Sequence, residues 1–232
     1  MERRVLAQTL RTARPFFLIA GPCVLESERV VMEIATRYRG PGLVEGLQLL
    51  QHVKHTTGLP VLTDLHETHQ VEPVAKVVDI LQIPAFLSRQ TDLLVAAANS
   101  GKLVNLKKGQ MLSAETMLLA AKKVAITQGD SDFILTERGS MFGYGDLVVD
   151  ARNLPKLRHA QGMVVQDVTH SLVFSAQRKL AQSRVEATEN PDSALCDAST
   201  MLPLDQLQPL IEELIAIANA SKALAHKTHT NQ

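Results

Sequence analysis

Short apolar runs alternate along this chain with longer stretches in which apolar residues recur every three to four positions. The runs are long enough for buried strands, and the stretches between them have the periodicity of helices that bury one face. The predicted strands are residues 16–20, 60–67, 80–83, 103–106, 133–136, 164–168 and 185–187. The predicted helical segments are residues 28–37, 43–57, 71–78, 92–100, 113–127, 153–160 and 204–224.

This alternation is typical of parallel βαβ units. No low-complexity segment or linker interrupts it, so we expect one α/β domain over residues 1–232. The seven predicted strands are one short of a closed (β/α)8 barrel, also called a TIM barrel. Ligands bind such barrels at the carboxyl ends of the strands, and polar residues accumulate at those positions in this sequence.

The composition argues against several classes of function. Basic and acidic residues number 24 each, so the chain has no charge bias toward nucleic acid or an anionic membrane. No run approaches the ~18 apolar residues that a membrane span requires. Trp is absent and aromatic residues make up 3%, which argues against a base-stacking surface. Two cysteines and the lack of a signal-peptide pattern predict a reducing, cytoplasmic setting.

One candidate site is a set of possible metal ligands. Cys23 follows the first predicted strand, His170 follows the strand at residues 164–168, and Glu186 and Asp197 come later in the chain. Thiolate, imidazole and carboxylate together suit Zn²⁺, Fe²⁺ or Mn²⁺. No short spacing ties the four residues together, so a buried inert cysteine and a hydrogen-bonded loop histidine remain the alternative.

A second candidate site is basic. Lys107 and Lys108 follow one predicted strand and Arg138 follows the next, while Arg39 and Arg89 lie in predicted loops. Neighbouring strands would bring Lys108 and Arg138 close together, where they could bind a phosphate or a carboxylate. A solvated pair of lysines is the alternative. The nearby glycine-rich segment 139–145 has neither P-loop nor dinucleotide-binding spacing, and the chain has no G-x-S-x-G elbow.

Taken together, these motifs resemble the 3-deoxy-D-manno-octulosonate 8-phosphate synthases. That family condenses phosphoenolpyruvate with D-arabinose 5-phosphate in lipopolysaccharide precursor synthesis. The matching segments cover well over half of the chain in the family's order: IAGPCVLES, RGPGLVEGL, PVLTDLHE, DILQIPAFLSRQTDLLVAAA, GKLVNLKKGQ, LTERGSMFGYGDLVVD, DVTHS and NPDSALCDASTMLPL.

The resemblance implies a (β/α)8 barrel that assembles as a homotetramer. Family members are metal-dependent or metal-independent according to whether the first-strand motif carries Cys or Asn, and this chain has Cys23. His170, Glu186 and Asp197 match the other ligand positions of the metal-dependent form. A divalent cofactor (Zn, Fe or Mn) is therefore expected.

The resemblance also implies substrate contacts. Lys108, with Lys107 beside it, and Arg138 are expected to clamp the phosphate and carboxylate of phosphoenolpyruvate, and Asp64 is expected to join Lys108 and Arg138 in catalysis. Further substrate contacts are expected from Gln90, which lines the site, from Arg39 in a substrate-proximal loop, and from Phe86 and Arg89 in a loop that reaches a neighbouring subunit's site.

Two segments of the family pattern are absent. Between Arg37 and Tyr38 the family has a second strand and a Lys-Ala-Asn-Arg-Ser-Ser motif that binds both substrates, and after Leu172 it has a glycine-rich loop, a helix and most of the eighth strand. We expect these segments to belong to the natural protein, because a barrel without its second strand exposes two unpaired edges.

The expected reaction is attack of phosphoenolpyruvate C3 on the aldehyde, addition of water at C2 and loss of phosphate. Two alternatives stay open. One is a related synthase of the aromatic pathway that uses erythrose 4-phosphate, and the other is a non-catalytic barrel that has lost the missing segments.

Overall fold

The computed structural model describes residues 2–21, 43–143, 146–171, 187–188 and 202–229. Its strands are β1 (Leu62–Asp64), β2 (Ile80–Ile83), β3 (Leu103–Lys107), β4 (Phe133–Glu137), β5 (Ser140–Met141), β6 (Leu147–Val148), β7 (Met163–Gln166), β8 (Ala187–Thr188) and β9 (Leu202–Pro203). Five of them form a parallel sheet in the order β1-β2-β3-β4-β7. Strands that pair in the order of the chain are typical of barrel-like α/β folds.

The other strands form two small pairs. β5 and β6 make an antiparallel pair directly after β4, and β8 pairs with β9 in parallel. The β5–β6 pair follows Gly139, whose φ of +87° is a left-handed conformation that favours glycine. This turn carries the chain away from the carboxyl end of β4.

The helices are α1 (Arg3–Thr12), α2 (Leu43–Thr57), α3 (Val71–Ala75), α4 (Thr91–Asn99), α5 (Ala114–Gln128), α6 (Asn153–Leu157) and α7 (Leu207–His229). Short 3-10 turns cover Thr68–Gln70, Ala85–Leu87, Arg158–Ala160 and Leu204–Gln206. Local chemistry sets the bounds of α5, because the Ser113 hydroxyl accepts a hydrogen bond from the Thr116 amide at one end and Gly129 adopts a left-handed φ at the other. No helix among the described residues is both long and apolar enough to cross a membrane.

Helices α4 and α5 cover the outer face of the sheet. Alternate strand residues point toward them and form the main core with helix side chains, including Leu81, Ile83, Val104, Leu106, Phe133, Leu135, Leu94, Met117 and Val124. Burial on this face explains why the strands read as nearly continuous apolar runs.

The inner face of the sheet is apolar at the amino ends of the strands. Ile80, Leu103, Ile134 and Met163 form a layer there, and Leu6 of α1 packs against it with 1% of its surface exposed. The N-terminal helix therefore covers the end of the sheet opposite the carboxyl ends of the strands. This arrangement leaves the carboxyl ends as the place for polar groups.

The structure confirms the α/β class and the parallel sheet, and it corrects one prediction. The strand predicted at residues 16–20 is not formed, because no described strand lies beside these residues to pair with them. Phe17 instead packs, partly buried, against the apolar layer that α1 covers. Helix α1 was not predicted. The predicted helix at residues 28–37 lies outside the described residues.

Candidate active site at the carboxyl ends of the strands

Two basic side chains, a carboxylate and an imidazole meet at the carboxyl ends of β3, β4 and β7. Lys107 ends β3, Arg138 follows β4, and Asp167 and His170 follow β7. Lys107 Nζ lies 3.0 Å from Asp167 Oδ2 and 3.3 Å from His170 Nδ1. Arg138 donates from Nη2 to the His170 carbonyl oxygen at 3.2 Å. Parallel pairing of the three strands brings these side chains, from distant parts of the sequence, into one cluster.

Asp167 is the centre of this cluster. Its Oδ1 accepts hydrogen bonds from the backbone amides of Thr169 and His170 at 3.1 and 3.0 Å, which fixes the turn after β7. Its Oδ2 faces His170 Nδ1 at 2.9 Å. Burial alone would raise the pKa of Asp167, but the hydrogen bond from His170 and the charge of Lys107 lower it well below the usual range. Asp167 is thus ionised and only accepts hydrogen bonds.

An ionised Asp167 determines the tautomer of His170. Because the carboxylate cannot donate, His170 Nδ1 must carry the proton that lies between the two groups. In the neutral imidazole the lone pair is then on Nε2, which is the arrangement found in metal-binding histidines oriented by a carboxylate. Lys107 and His170 are therefore both donors to Asp167 Oδ2.

Two side chains of the cluster are cationic. Lys107 lies against the Asp167 carboxylate, and Arg138 donates to the His170 carbonyl oxygen. Lys107 and Arg138 are each 8% exposed. Buried cationic donors at the carboxyl ends of parallel strands are suited to an anion such as a phosphate or a carboxylate.

The structure does not bring Lys108 to this cluster. Its side chain is fully buried, and its Nζ lies within 3.2 Å of the carbonyl oxygens of Gly109, Leu112 and Gly139 and of the Ser140 hydroxyl. Glu137 lies 3.4 Å away on the same buried side. Burial lowers the pKa of Lys108, while the charge of Glu137 opposes that effect. Lys108 therefore holds together the loops that follow β3 and β4.

Asp64 lies at the end of a row of polar side chains on the inner face. Thr136 Oγ1 donates to Asn105 Oδ1, Asn105 Nδ2 donates to Gln82 Oε1, and Gln82 Nε2 donates to Asp64 Oδ1, each at 2.7 Å. The row crosses four neighbouring strands just above the apolar layer. Asp64 is exposed at its end, so its carboxylate is open to a ligand.

The other predicted site residues lie apart from this cluster or outside the described residues. Phe86, Arg89 and Gln90 are exposed on the segment after β2, and Phe86 has 70% of its surface exposed. Cys23, Arg39, Glu186 and Asp197 lie outside the described residues. Of the predicted metal ligands the structure describes only His170, and among the described residues it has no group of three His, Cys, Asp or Glu side chains placed to hold a metal ion.

Several site residues were missed from the sequence. Asp167 stands directly after a strand and three residues before His170, a spacing that could have marked it as the partner of that imidazole. Gln82, Asn105 and Thr136 are polar residues inside otherwise apolar strands, and that interruption was the available signal.

Comparison with known proteins agrees with this geometry. The model of the DAHP synthetase I family matches residues 36–222. Over 94% of this chain and 93% of its own length, the 2-dehydro-3-deoxyphosphooctonate aldolase of Pisum sativum is 41% identical. The corresponding aldolase 2 of Arabidopsis thaliana is 42% identical with the same coverage, and that of Syntrophotalea carbinolica is 42% identical over 88% of this chain and 91% of its own length. The chain thus belongs to the DAHP synthetase I family, within its group of 2-dehydro-3-deoxyphosphooctonate aldolases, also called 3-deoxy-D-manno-octulosonate 8-phosphate synthases.

Proposed function

We propose that this chain condenses phosphoenolpyruvate with D-arabinose 5-phosphate and water to give 3-deoxy-D-manno-octulosonate 8-phosphate and phosphate. The observation that carries the proposal is the cluster of Lys107, Arg138 and His170 around Asp167, in a chain whose relatives are named for this chemistry. The cluster combines an anion site with an imidazole suited to a metal ion. A transferase that joins two phosphorylated substrates needs such an anion site.

The bond changes balance without a redox cofactor. C3 of phosphoenolpyruvate forms a bond to the aldehyde carbon, water adds at C2, and the C2–O bond to the phosphate breaks with release of inorganic phosphate. Lys107 and Arg138 would bind the phosphate and carboxylate of phosphoenolpyruvate, holding the enol carbon in place and offsetting its charge. This proposal assigns the lysine contact to Lys107 in place of Lys108, because the Lys108 ammonium is enclosed by protein oxygens.

The proposal includes a divalent metal ion (Zn, Fe or Mn) held by Cys23, His170, Glu186 and Asp197. The donor set of thiolate, imidazole and two carboxylates fits such an ion, and the Asp167 carboxylate orients the His170 imidazole through its Nδ1. Bound there, the metal ion would supply Lewis-acid chemistry, polarising the aldehyde or activating the water. Metal analysis of the purified protein, followed by chelation and readdition, tests this part.

The aldose is proposed to lie near Asp64, with Gln90, Arg39, Phe86 and Arg89 as further contacts. The alignment with the Pisum sativum protein spans 272 positions, more than the 232 residues of this chain, so that relative contains residues with no counterpart here. This agrees with the family segments that are missing from the sequence. Intact-mass measurement of the protein from its source shows whether the natural protein contains these segments. A mass near 25.4 kDa means that it lacks them, and a larger mass means that it contains them.

Parallel phosphate-release assays with arabinose 5-phosphate and erythrose 4-phosphate test the activity. Release with arabinose 5-phosphate and little with erythrose 4-phosphate supports the proposal. The reverse preference identifies the aromatic-pathway alternative, and no release with either aldose, from a protein with bound metal, identifies a non-catalytic barrel.

We further propose that the sheet closes into an eight-stranded barrel as a single domain over residues 1–232, and that four such chains assemble in the cytoplasm. The sequential parallel order of the five described strands supports the barrel. Light scattering of the purified protein tests the tetramer.

A further inference from the structure

The polar row from Thr136 to Asp64 has a fixed direction. Asp64 can only accept hydrogen bonds while it is a carboxylate, so Gln82 must turn its amide nitrogen toward it. Gln82 then presents its side-chain carbonyl oxygen to Asn105, which must donate a hydrogen bond to it from the side-chain amide nitrogen. The Asn105 oxygen is left facing Thr136, whose hydroxyl must donate. One orientation of every side chain satisfies the whole row.

The buried end of the row is closed off from solvent. Thr136 and Asn105 are 4% and 1% exposed, and the apolar layer lies beneath them. Val165 is the strand partner of Thr136 on β7 and carries no polar group, so the row starts at the Thr136 hydroxyl. A buried acceptor that loses its donor is costly, and Asn105 therefore depends on Thr136 to keep its orientation.

The exposed end of the row is where a ligand can be recognised. The Gln82 amide holds Asp64 through Oδ1, so the second carboxylate oxygen can accept a hydrogen bond from a substrate hydroxyl. A polyhydroxy aldose offers such donors, whereas phosphoenolpyruvate has no hydroxyl hydrogen on its carbon skeleton. A change in the row should thus alter the KM for the aldose more than the KM for phosphoenolpyruvate.

We propose that Thr136 and Asn105 are positioning residues for the acceptor aldose, acting through Gln82 on the orientation of the Asp64 carboxylate. Neither residue has to touch the substrate. The inference rests on the proposed function, because it requires that Asp64 binds the aldose.

The test compares Thr136→Val, which removes the hydroxyl donor at almost constant shape, with Thr136→Ser, which keeps it. Thr136→Val is expected to raise the KM for arabinose 5-phosphate about tenfold and to change the KM for phosphoenolpyruvate by less than about twofold. Thr136→Ser should restore a KM close to that of the wild type. Thr127→Val is the matched control, because the Thr127 hydroxyl donates to the Lys123 carbonyl within α5, away from the row.

A second variant covers the case in which Thr136→Val does not fold. Gln82→Glu breaks the row at its half-exposed end by placing a second carboxylate against Asp64, and it should raise the same KM selectively. A folded Thr136→Val or Gln82→Glu protein with a wild-type KM for arabinose 5-phosphate overturns the inference, as does an equal rise for both substrates. The wild-type assay is run first: no turnover there rejects the proposed function, and the inference with it, whereas wild-type turnover with unaffected variants rejects the inference alone.

Discussion

His170 Nδ1 lies 2.9 Å from Asp167 Oδ2, and the same oxygen lies 3.0 Å from Lys107 Nζ. One buried carboxylate therefore orients both the imidazole proposed to bind a metal ion and the ammonium proposed to bind phosphoenolpyruvate. Arg138 donates to the His170 carbonyl oxygen in the same cluster, which adds a second cationic side chain beside this carboxylate. The arrangement places the two proposed subsites side by side.

Asp167→Asn is expected to weaken metal binding by about 10- to 100-fold. The amide lacks the charge that keeps the proton on His170 Nδ1, so the lone pair is no longer held on Nε2. Competition with a chromogenic chelator measures the affinity without using enzyme activity. Asp132→Asn is the control, because Asp132 pairs with Arg11 at the amino end of β4. An unchanged affinity in Asp167→Asn would reject the orienting role.

Lys107 and Lys108 form a matched pair for a second experiment. Lys107→Met is expected to raise the KM for phosphoenolpyruvate about tenfold or more, because it removes an anion contact at the site, while Asp167 keeps its hydrogen bonds from Thr169 and His170. Lys108→Met leaves Glu137 buried without its cation and should lower the free energy of unfolding by about 3–5 kcal/mol. Steady-state kinetics and thermal unfolding of both variants decide the assignment. A stable Lys108→Met protein with a raised KM for phosphoenolpyruvate would show that Lys108, and not Lys107, contacts this substrate.

The two lysines also show which features of the site could be predicted from the sequence. Apolar runs located the five strands of the parallel sheet, because burial on the outer face and at the amino ends requires such runs. They could not show which of two consecutive lysines faces inward, since both faces of these strands are largely apolar and period-two alternation is hidden. In the structure Leu103 and Asn105 share the inner face with Lys107, and that fixes the choice.

The N-terminal helix was missed for a related reason. Its buried stripe consists of Leu6, Ala7 and Leu10 among three arginines and polar residues, too few apolar positions to reveal a helical period. Its role depends on contacts with residues that lie more than 70 positions away. The row from Thr136 to Asp64 likewise exists only after four strands have paired. In the sequence, tertiary contacts of this kind are marked only by isolated polar or apolar residues, which do not identify their partners.

Leu6→Ala tests whether α1 covers the amino ends of the strands. Leu6 is 1% exposed against the apolar layer, so its truncation should lower the free energy of unfolding by about 2–5 kcal/mol. Val5→Ala is the control on the same helix, because Val5 is 53% exposed and should change stability by less than about 0.5 kcal/mol. Urea titrations of both variants give the comparison. Equal, small effects would mean that α1 does not pack on the sheet.

Stability below pH 4 should depend on Asp79, which precedes β2. Its carboxylate is buried, and Oδ2 lies 2.8 Å from Lys54 Nζ and 3.1 Å from the Val61 amide nitrogen. Burial alone would raise the pKa of Asp79, but the hydrogen bonds from Lys54 and Val61 and the Lys54 charge lower it overall. A carboxyl with a lower pKa in the folded state contributes stability that is fully present above its unfolded value of about 3.9 and is lost as the pH falls through the folded pKa.

Asp79→Asn should therefore lower the free energy of unfolding by about 1–3 kcal/mol at neutral pH. The difference from the wild type should shrink at about pH 3, because below the unfolded pKa of about 3.9 the unfolded wild-type chain binds a proton at Asp79 and the stability that the ionised carboxylate contributes starts to be lost. Urea unfolding at the two pH values measures both differences. Glu72→Gln serves as the control, since Glu72 pairs with Lys76 at 2.8 Å on the surface, where solvent screens the pair. A difference for Asp79→Asn that is equal at both pH values would show that the effect comes from lost packing, and the charged pair with Lys54 would then contribute nothing to the pH dependence of folding.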